Sequence, residues 1–217
     1  MSSRDTILAR IRSALSGDTP PAEPPAVPEV WPRENPDIET MANRFAAAIA
    51  LVQGECIECK SAEAVQSVLA ELMEENVWTT LGAADNHQLR AVLAGFPDSR
   101  VSWLDDSWDA ANMESLPAAL VSADCLIADT GSCLIRCDTK PQRLLCYLPP
   151  ACIVVGSRRR LAEHLPAAWE DVAVAAAEPP RRGEFVIITG PSRTADIEKI
   201  LILGVHGPKR LIVLMTD

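Results

Sequence analysis

The chain has 217 residues, 48% of them hydrophobic, which supplies a sizeable core for one domain with an appendage or for two small domains. A formal net charge of -10 excludes a general nucleic-acid or anionic-membrane binder, because neutralising phosphates needs a basic face. Aromatic residues make up only 4%, too few for single-strand stacking platforms.

Residues 2–16 predict one amphipathic helix, with Ser3 as cap, Asp5 in the first turn, and Ile7, Leu8, Ile11 and Leu15 on one face. So short a helix is marginal alone in water and needs a partner surface. Residues 17–36 read as a linker, because Pro20, Pro21, Pro24, Pro25, Pro28, Pro32 and Pro36 impose extended geometry. The expected organisation is therefore an arm and linker over 1–36 and a single domain over 37–217.

Beyond the linker, helical and strand patterns alternate. Helices are expected over Asp37–Val52, Ser61–Glu74 and Asp85–Ala94, and partly over Asp109–Leu120 with a break near Pro117. Shorter or later helices are expected over Gln142–Tyr147 and Ser157–Trp169. Strands are expected at Cys56–Ile57, Val77–Leu81, Arg100–Leu104, Cys125–Ala128, Cys133–Arg136 and Ala151–Val155. The last third reads as strand (from Glu184), tight turn at Gly190-Pro191, helix capped by Ser192 or Thr194 and ended by Gly204, and a closing strand from Arg210. Short apolar strands alternating with helices imply an α/β fold, a largely parallel sheet with helices on both faces.

Two turns carry candidate chemistry. In Asp129-Thr130-Gly131-Ser132, Gly131 permits a tight turn and a close ligand approach, while Thr130 and Ser132 offer hydroxyls and backbone N–H groups to an oxyanion. Asp129 is an acceptor for a substrate hydroxyl or a general base. The plain alternative is a β-turn bonding its own backbone. In Gly190-Pro191-Ser192-Arg193-Thr194, Arg193 can fork onto a carboxylate or phosphate at a helix start. Asp196 and Glu198 there would also satisfy the helix dipole. His206, in Gly204-Val205-His206-Gly207-Pro208, is one of three histidines. A ten-residue helix spans ~15 Å, so the segment 204–208 is expected at the edge opposite Arg193. Thr130–Ser132 and Gly190–Thr194 are expected to share one edge.

Seven cysteines, an odd number without a hydrophobic leader, read as reduced thiols in a cytoplasm. Cys56 and Cys59 form one CxxC pair with no second pair, so buried structural thiols are favoured over a metal site and no metal ligand is assigned. Arg158-Arg159-Arg160 opposes a helix dipole and calls for acidic partners, internal or external. No run reaches the ~18 apolar residues of a membrane span. Dinucleotide, P-loop and serine-hydrolase signatures are absent.

Ala128-Asp129-Thr130-Gly131-Ser132, Leu148-Pro149-Pro150, Thr189-Gly190-Pro191-Ser192-Arg193-Thr194-Ala195-Asp196-Ile197-Glu198 and Gly204-Val205-His206-Gly207-Pro208 together resemble the LUD domain of the lactate-utilisation protein C family. The resemblance covers about residues 37–217. It implies a fold like that of ribose-phosphate isomerases and CoA transferases, and an accessory role beside two iron–sulfur partner proteins in oxidising L-lactate to pyruvate. It implies clusters in those partners and no cofactor in this chain. Its ligand-side positions are Thr130, Gly131, Ser132, Gly190, Ser192, Arg193, Thr194, Asp196 and His206. The sequence departs from the pattern in the cysteine-rich stretch Cys133–Cys146 and at Cys152, near where the family pattern has a histidine. The alternative is a stand-alone enzyme on a small phosphorylated or carboxylated metabolite, with Asp129 or Asp196 as base and Arg193 as clamp; a scaffold with a vestigial pocket is the third reading.

Overall fold

The structure is a computed structural model that describes residues 3–16, 31–177, 184–195, 201–203 and 207–217. It divides into two compact units, Met1–Pro32 and Arg33–Asp217. In the first, helix α1 (Ser3–Leu15) buries none of its residues, and Ile7, Ile11 and Leu15 are exposed.

The second unit begins with α2 (Ile38–Leu51). Asp37 caps it by accepting the Thr40 N–H at 2.7 Å, and Ala42, Phe45 and Ile49 form its buried stripe. Strand β1 (Glu55–Cys59) and helix α3 (Ala62–Glu75) follow. Ser61 caps α3, and Val65, Leu69, Leu72 and Met73 point inward at helical spacing. Both helices end in the same hydrogen-bond pattern, with the N–H two residues past the cap returning to a carbonyl inside the helix: Gly54 to Ile49 at 2.9 Å and Trp78 to Met73 at 2.8 Å. The residue between is left-handed in each, Gln53 at φ 65° and Val77 at φ 56°.

Next come β2 (Leu81–Ala84), α4 (His87–Val92), β3 (Val101–Leu104), α5 (Ala110–Glu114) and β4 (Ala118–Ser122). Strands β5 (Cys125–Ile127) and β6 (Ser132–Cys137) form a hairpin around the 128–131 turn. The chain continues through α6 (Lys140–Leu145), β7 (Ala151–Ser157), β8 (Leu161–Ala162), α7 (Leu165–Ala177) and β9 (Glu184–Ile188). It closes with β10 (Arg193–Ala195), β11 (Leu201–Leu203) and β12 (Arg210–Thr216).

Six strands form a parallel sheet in the order β1-β12-β7-β4-β2-β3, flanked by helices. Its central strands β7 and β12 are buried almost end to end, as expected of parallel strands covered on two faces. Cys152 lies there, fully buried, paired in register with Leu211 and Ala119. A second sheet, β8-β5-β6-β9, is mostly antiparallel. Leu126 of β5 packs against Gly156 of β7, where a Cβ would come within 2.8 Å of it. On the other side of β5, Cys125, Ile127 and Leu134 join Ala168 and Val172 of α7 in a smaller core.

Several sequence expectations are corrected. The strand expected at Val77–Leu81 begins only at Leu81, because Val77 and Trp78 close α3. The helix expected to run toward Leu120 stops at Glu114, and Ala118–Ser122 is instead a strand held between β2 and β7. The helix expected from Ser157 is a short 3₁₀ turn at Arg158–Arg160, then β8, then α7, which starts only after His164. Arg158 meets internal carboxylates, Glu39 at 2.6 Å and Asp217 at 3.6 Å. The helix expected to begin at Ser192–Thr194 is replaced by a strand, β10, paired antiparallel with β11. Among the described residues no helix is long and apolar enough to cross a membrane.

Candidate functional site

The two glycine turns do come together. Ser132, at the start of β6, is almost fully buried, and its hydroxyl lies 2.6 Å from the Thr189 hydroxyl at the end of β9. Ser132 donates to Thr130 Oγ1 at 2.7 Å. A hydroxyl has one proton, so Thr189 must donate to Ser132, and the chain Thr189, Ser132, Thr130 leaves the proton of exposed Thr130 pointing outward.

Both glycines are explained by one neighbour, the end of α2. Gly131 has φ +63°, and a Cβ there would lie 2.3 Å from the Ile49 nitrogen. Gly190 has φ +73°, and its Cβ would lie 2.6 Å from the Val52 carbonyl oxygen. The space beside Gly131, expected for a ligand, is filled by helix backbone. The glycines thus hold the two turns against one helix end and so against each other.

The last glycine segment joins them. The Ser192 N–H donates to the Pro208 carbonyl at 2.8 Å, and a Cβ on Gly207 would lie 2.9 Å from Ser192 Cβ. The expectation that 204–208 lies at the opposite edge assumed a rigid helix between them. The antiparallel pairing of Arg193 with Leu203 returns the chain to its starting point instead. Lys209 N–H also bonds the Pro150 carbonyl at 2.7 Å, so the cluster sits at the amino-terminal edge of the parallel sheet, where β7 and β12 begin.

Beside these turns is a cavity of about 400 Å³, lined by Cys146, Tyr147, residues 187–193, Gly207 and Pro208. Arg193 is the charged residue among these, is exposed, and makes no ion pair with a described residue. Thr130 and Ser132 reach the cavity only through the Thr189 hydroxyl. Asp129 is exposed outside the lining, and its N–H bonds the Glu163 carbonyl at 3.1 Å. Asp196 and His206 lie outside the described residues, as does the side chain of Thr194.

Sequence reasoning missed Tyr147, the single tyrosine, which is 43% exposed on the cavity wall. Burial, with the adjacent Cys146 and Cys137 thiols, holds its phenol above the ordinary value, so it stays a neutral donor. Its signal was available as an aromatic two residues before Pro149-Pro150. The cysteines form no disulfide, six being buried and Cys56 half-buried. Burial pushes Cys56 up to about 11 and Cys152 up to about 12. Cys137 and Cys146 hydrogen-bond one another, which raises Cys146 and lowers Cys137. No group of described residues has the makings of a metal site.

Comparison with known proteins places this geometry in a family. The LUD domain model matches residues 42–216. An uncharacterized protein of Neisseria meningitidis serogroup B is 28% identical over 99% of this chain and 93% of its own length. Lactate utilization protein C of Bacillus pumilus is 30% identical, over 48% of this chain and 44% of that protein, so the chain spans under half of that relative. The same-named protein of an Exiguobacterium species is 25% identical over 80% of this chain and 76% of its own. A crystal structure of a DUF162 family protein from Deinococcus radiodurans superposes with a TM-score of 0.61, at 18% identity, over 84% of this chain and 99% of that one, a likeness of fold. With the family model covering all but the N-terminal arm, the linker and the start of α2, the chain belongs to the LUD domain family.

Proposed function

We propose that this chain serves lactate utilisation as an accessory component that holds a small anionic ligand in the cavity beside Arg193. One observation carries the reading: a guanidinium without an ion pair to a described residue faces a cavity whose other walls are hydroxyls and apolar side chains. Arginine binds carboxylates through paired N–H donors. Tyr147 adds a hydroxyl donor, and Ile187, Ile188, Pro191 and Pro208 supply an apolar wall for a short carbon skeleton. That combination fits a small carboxylate better than a phosphate ester with several charges.

The names of the relatives from Bacillus and Exiguobacterium support the lactate context. The proposal extends to iron–sulfur partner proteins that carry the oxidation of L-lactate to pyruvate, with clusters in those partners. The six-stranded parallel sheet supports the kinship to isomerase and CoA-transferase-like folds that the sequence resemblance implies.

The test is L-lactate oxidation reconstituted with the iron–sulfur partners, with and without this chain. Oxidation should fall when the chain is omitted and when Arg193→Ala replaces the wild type. Unchanged oxidation without the chain would end the accessory reading; unchanged oxidation with Arg193→Ala alone would end the clamp.

A further inference from the structure

The opposite edge of the parallel sheet holds a second cavity that no sequence motif marked. Strand β2 has β3 on one side and β4 on the other, so the chain passes from β3 back across β2 to reach β4. In open parallel sheets, such a reversal parts the connections at the carboxyl ends of the two strands and leaves a crevice where ligands bind. Here a cavity of about 310 Å³ opens at that place. It is lined by the ends of β2 (Ala84) and β4 (Val121, Ser122), the loop residues Asn86 and Asp124, and Arg136, Asp138 and Gln142 from the returning hairpin and helix. Its volume is at the lower end for small-molecule sites.

The polar groups there are built into the fold and only partly satisfied. Asp124 Oδ2 accepts the Arg136 backbone N–H at 2.7 Å. The Arg136 guanidinium lies against Asp138, with Nε 3.0 Å from Oδ1, which neutralises that pair. Asn86 caps α4 through its carbonyl (3.0 Å to Leu89 N) and donates its amide to Ser122 Oγ at 3.0 Å. Gln142 accepts the Asp138 N–H through Oε1 at 2.8 Å. Several functions make no hydrogen bond with a described residue: Asp124 Oδ1, the Ser122 hydroxyl proton, the Gln142 amide N–H₂, the His87 and Gln88 side chains that also line the cavity, and the buried Arg136 Nε.

The set therefore offers one charge-bearing acceptor, Asp124, beside several donors and the mixed donor–acceptor side chains of His87 and Gln88. A second anion is repelled by Asp124, whose carboxylate makes no ion pair with a described residue; Arg160 beside it donates its Nε to the Asp124 backbone carbonyl at 2.9 Å. An ammonium would satisfy Asp124 and leave the donors without acceptors. A hydroxyl both donates and accepts, and neighbouring hydroxyls on one carbon chain serve acceptor and donors together. We propose that the crevice between the ends of β2 and β4 binds a small neutral polyol, whose hydroxyls donate to Asp124 and accept from Ser122 and Gln142. The site is independent of the Arg193 cavity and opposite to it in charge preference.

The experiment is an amide-shift NMR titration of the full chain with glycerol, D-xylose and D-sorbitol, and separately with L-lactate and ethanolamine. At least one polyol should give saturable shifts at residues 122–124 and 136–138. Asp124→Asn should weaken that binding about tenfold, as loss of a hydrogen bond to a charged group does. Gln142→Ala, at a partly exposed helix position, supplies a second variant if Asp124→Asn fails to fold, and should also weaken binding. The proposal is overturned if no polyol shifts those amides by about 100 mM, a dissociation constant beyond weak metabolite binding. It is equally overturned if the folded variants bind as wild type does, or if ethanolamine or L-lactate occupies the same amides more tightly than every polyol.

Discussion

Replacing Gly131 by alanine tests whether the turn is held by α2. The residue has φ +63°, where an L side chain costs about 1–2 kcal/mol. The new methyl would lie 2.3, 2.6 and 2.8 Å from the Ile49 nitrogen, Ile49 Cα and Ala48 carbonyl carbon, which are backbone atoms in the last turns of a helix. None of them can rotate away, so the helix end or the turn must move, and such overpacking costs about 1–3 kcal/mol. The sum, about 2–5 kcal/mol, is a large fraction of the ~5–15 kcal/mol that holds a typical domain. At ~2–4 °C per kcal/mol for a chain of this size, the melting temperature should fall by roughly 10 °C. Gly95 is the control: its φ is +89°, yet nothing lies within 4 Å of its Cβ direction. Gly95→Ala should therefore lose only the backbone cost, about 1–2 kcal/mol. Unfolding of both variants by denaturant, followed by circular dichroism, gives the comparison. Equal losses would refute the close approach of α2, and with it the reason the two glycine turns meet.

Three further predictions concern the frame around the site. Val77→Gly should stabilise the chain by about 0.5–1 kcal/mol, since a β-branched residue at φ 56° is strained and its side chain is 85% exposed; a loss in chemical denaturation would contradict the cap geometry. Native Cys56 should react slowly with a thiol-specific disulfide reagent, because a value near 11 against an ordinary 9.0 leaves roughly a hundredfold less thiolate; rapid labelling at the rate of an unfolded control would contradict the burial. Arg90 hydrogen bonds hold the Asp85 carboxyl below its ordinary 3.8, so its contribution is present above that pH and lost as pH falls below it. Asp85→Asn should accordingly flatten the stability profile below about pH 4, and an unchanged acid limb would remove the ion pair from the account.

The parts of the fold legible in the sequence were those fixed locally or by long apolar runs. The helices expected from Asp37 and Ser61 form there, capped by those two side chains, and the buried stripes of α2 and α3 follow helical spacing. Strands β7 and β12 are short apolar runs with Ile and Val at their centres, which strand preference alone picks out. Strand β4 was hidden because Ala118-Ala119-Leu120 has weak strand preference and follows a helical pattern; its pairing with β2 and β7 decides the matter, and those partners lie far along the chain. At Val77-Trp78-Thr79-Thr80 the opposite happened, with a strand-like composition used to close a helix. The candidate site followed the same rule. The glycine motifs pointed to one edge, but which residues stood beside them depended on β10 and β11 pairing rather than forming a helix. Asn86, Ser122, Asp124 and Arg136 carry no motif at all, and only the crossing order of the sheet brings them together.

Arg193 is proposed to clamp a small carboxylate beside the joined glycine turns. The direct measurement is an amide-shift titration of the full chain with L-lactate, pyruvate and inorganic phosphate, repeated with Arg193→Ala. L-lactate or pyruvate should give saturable shifts at residues 187–193 and 207–208, weaken with added salt, and lose about tenfold in affinity in the variant, as removal of a charged hydrogen-bonding partner does. Shifts that never saturate for either carboxylate, or equal binding by wild type and Arg193→Ala, would contradict it.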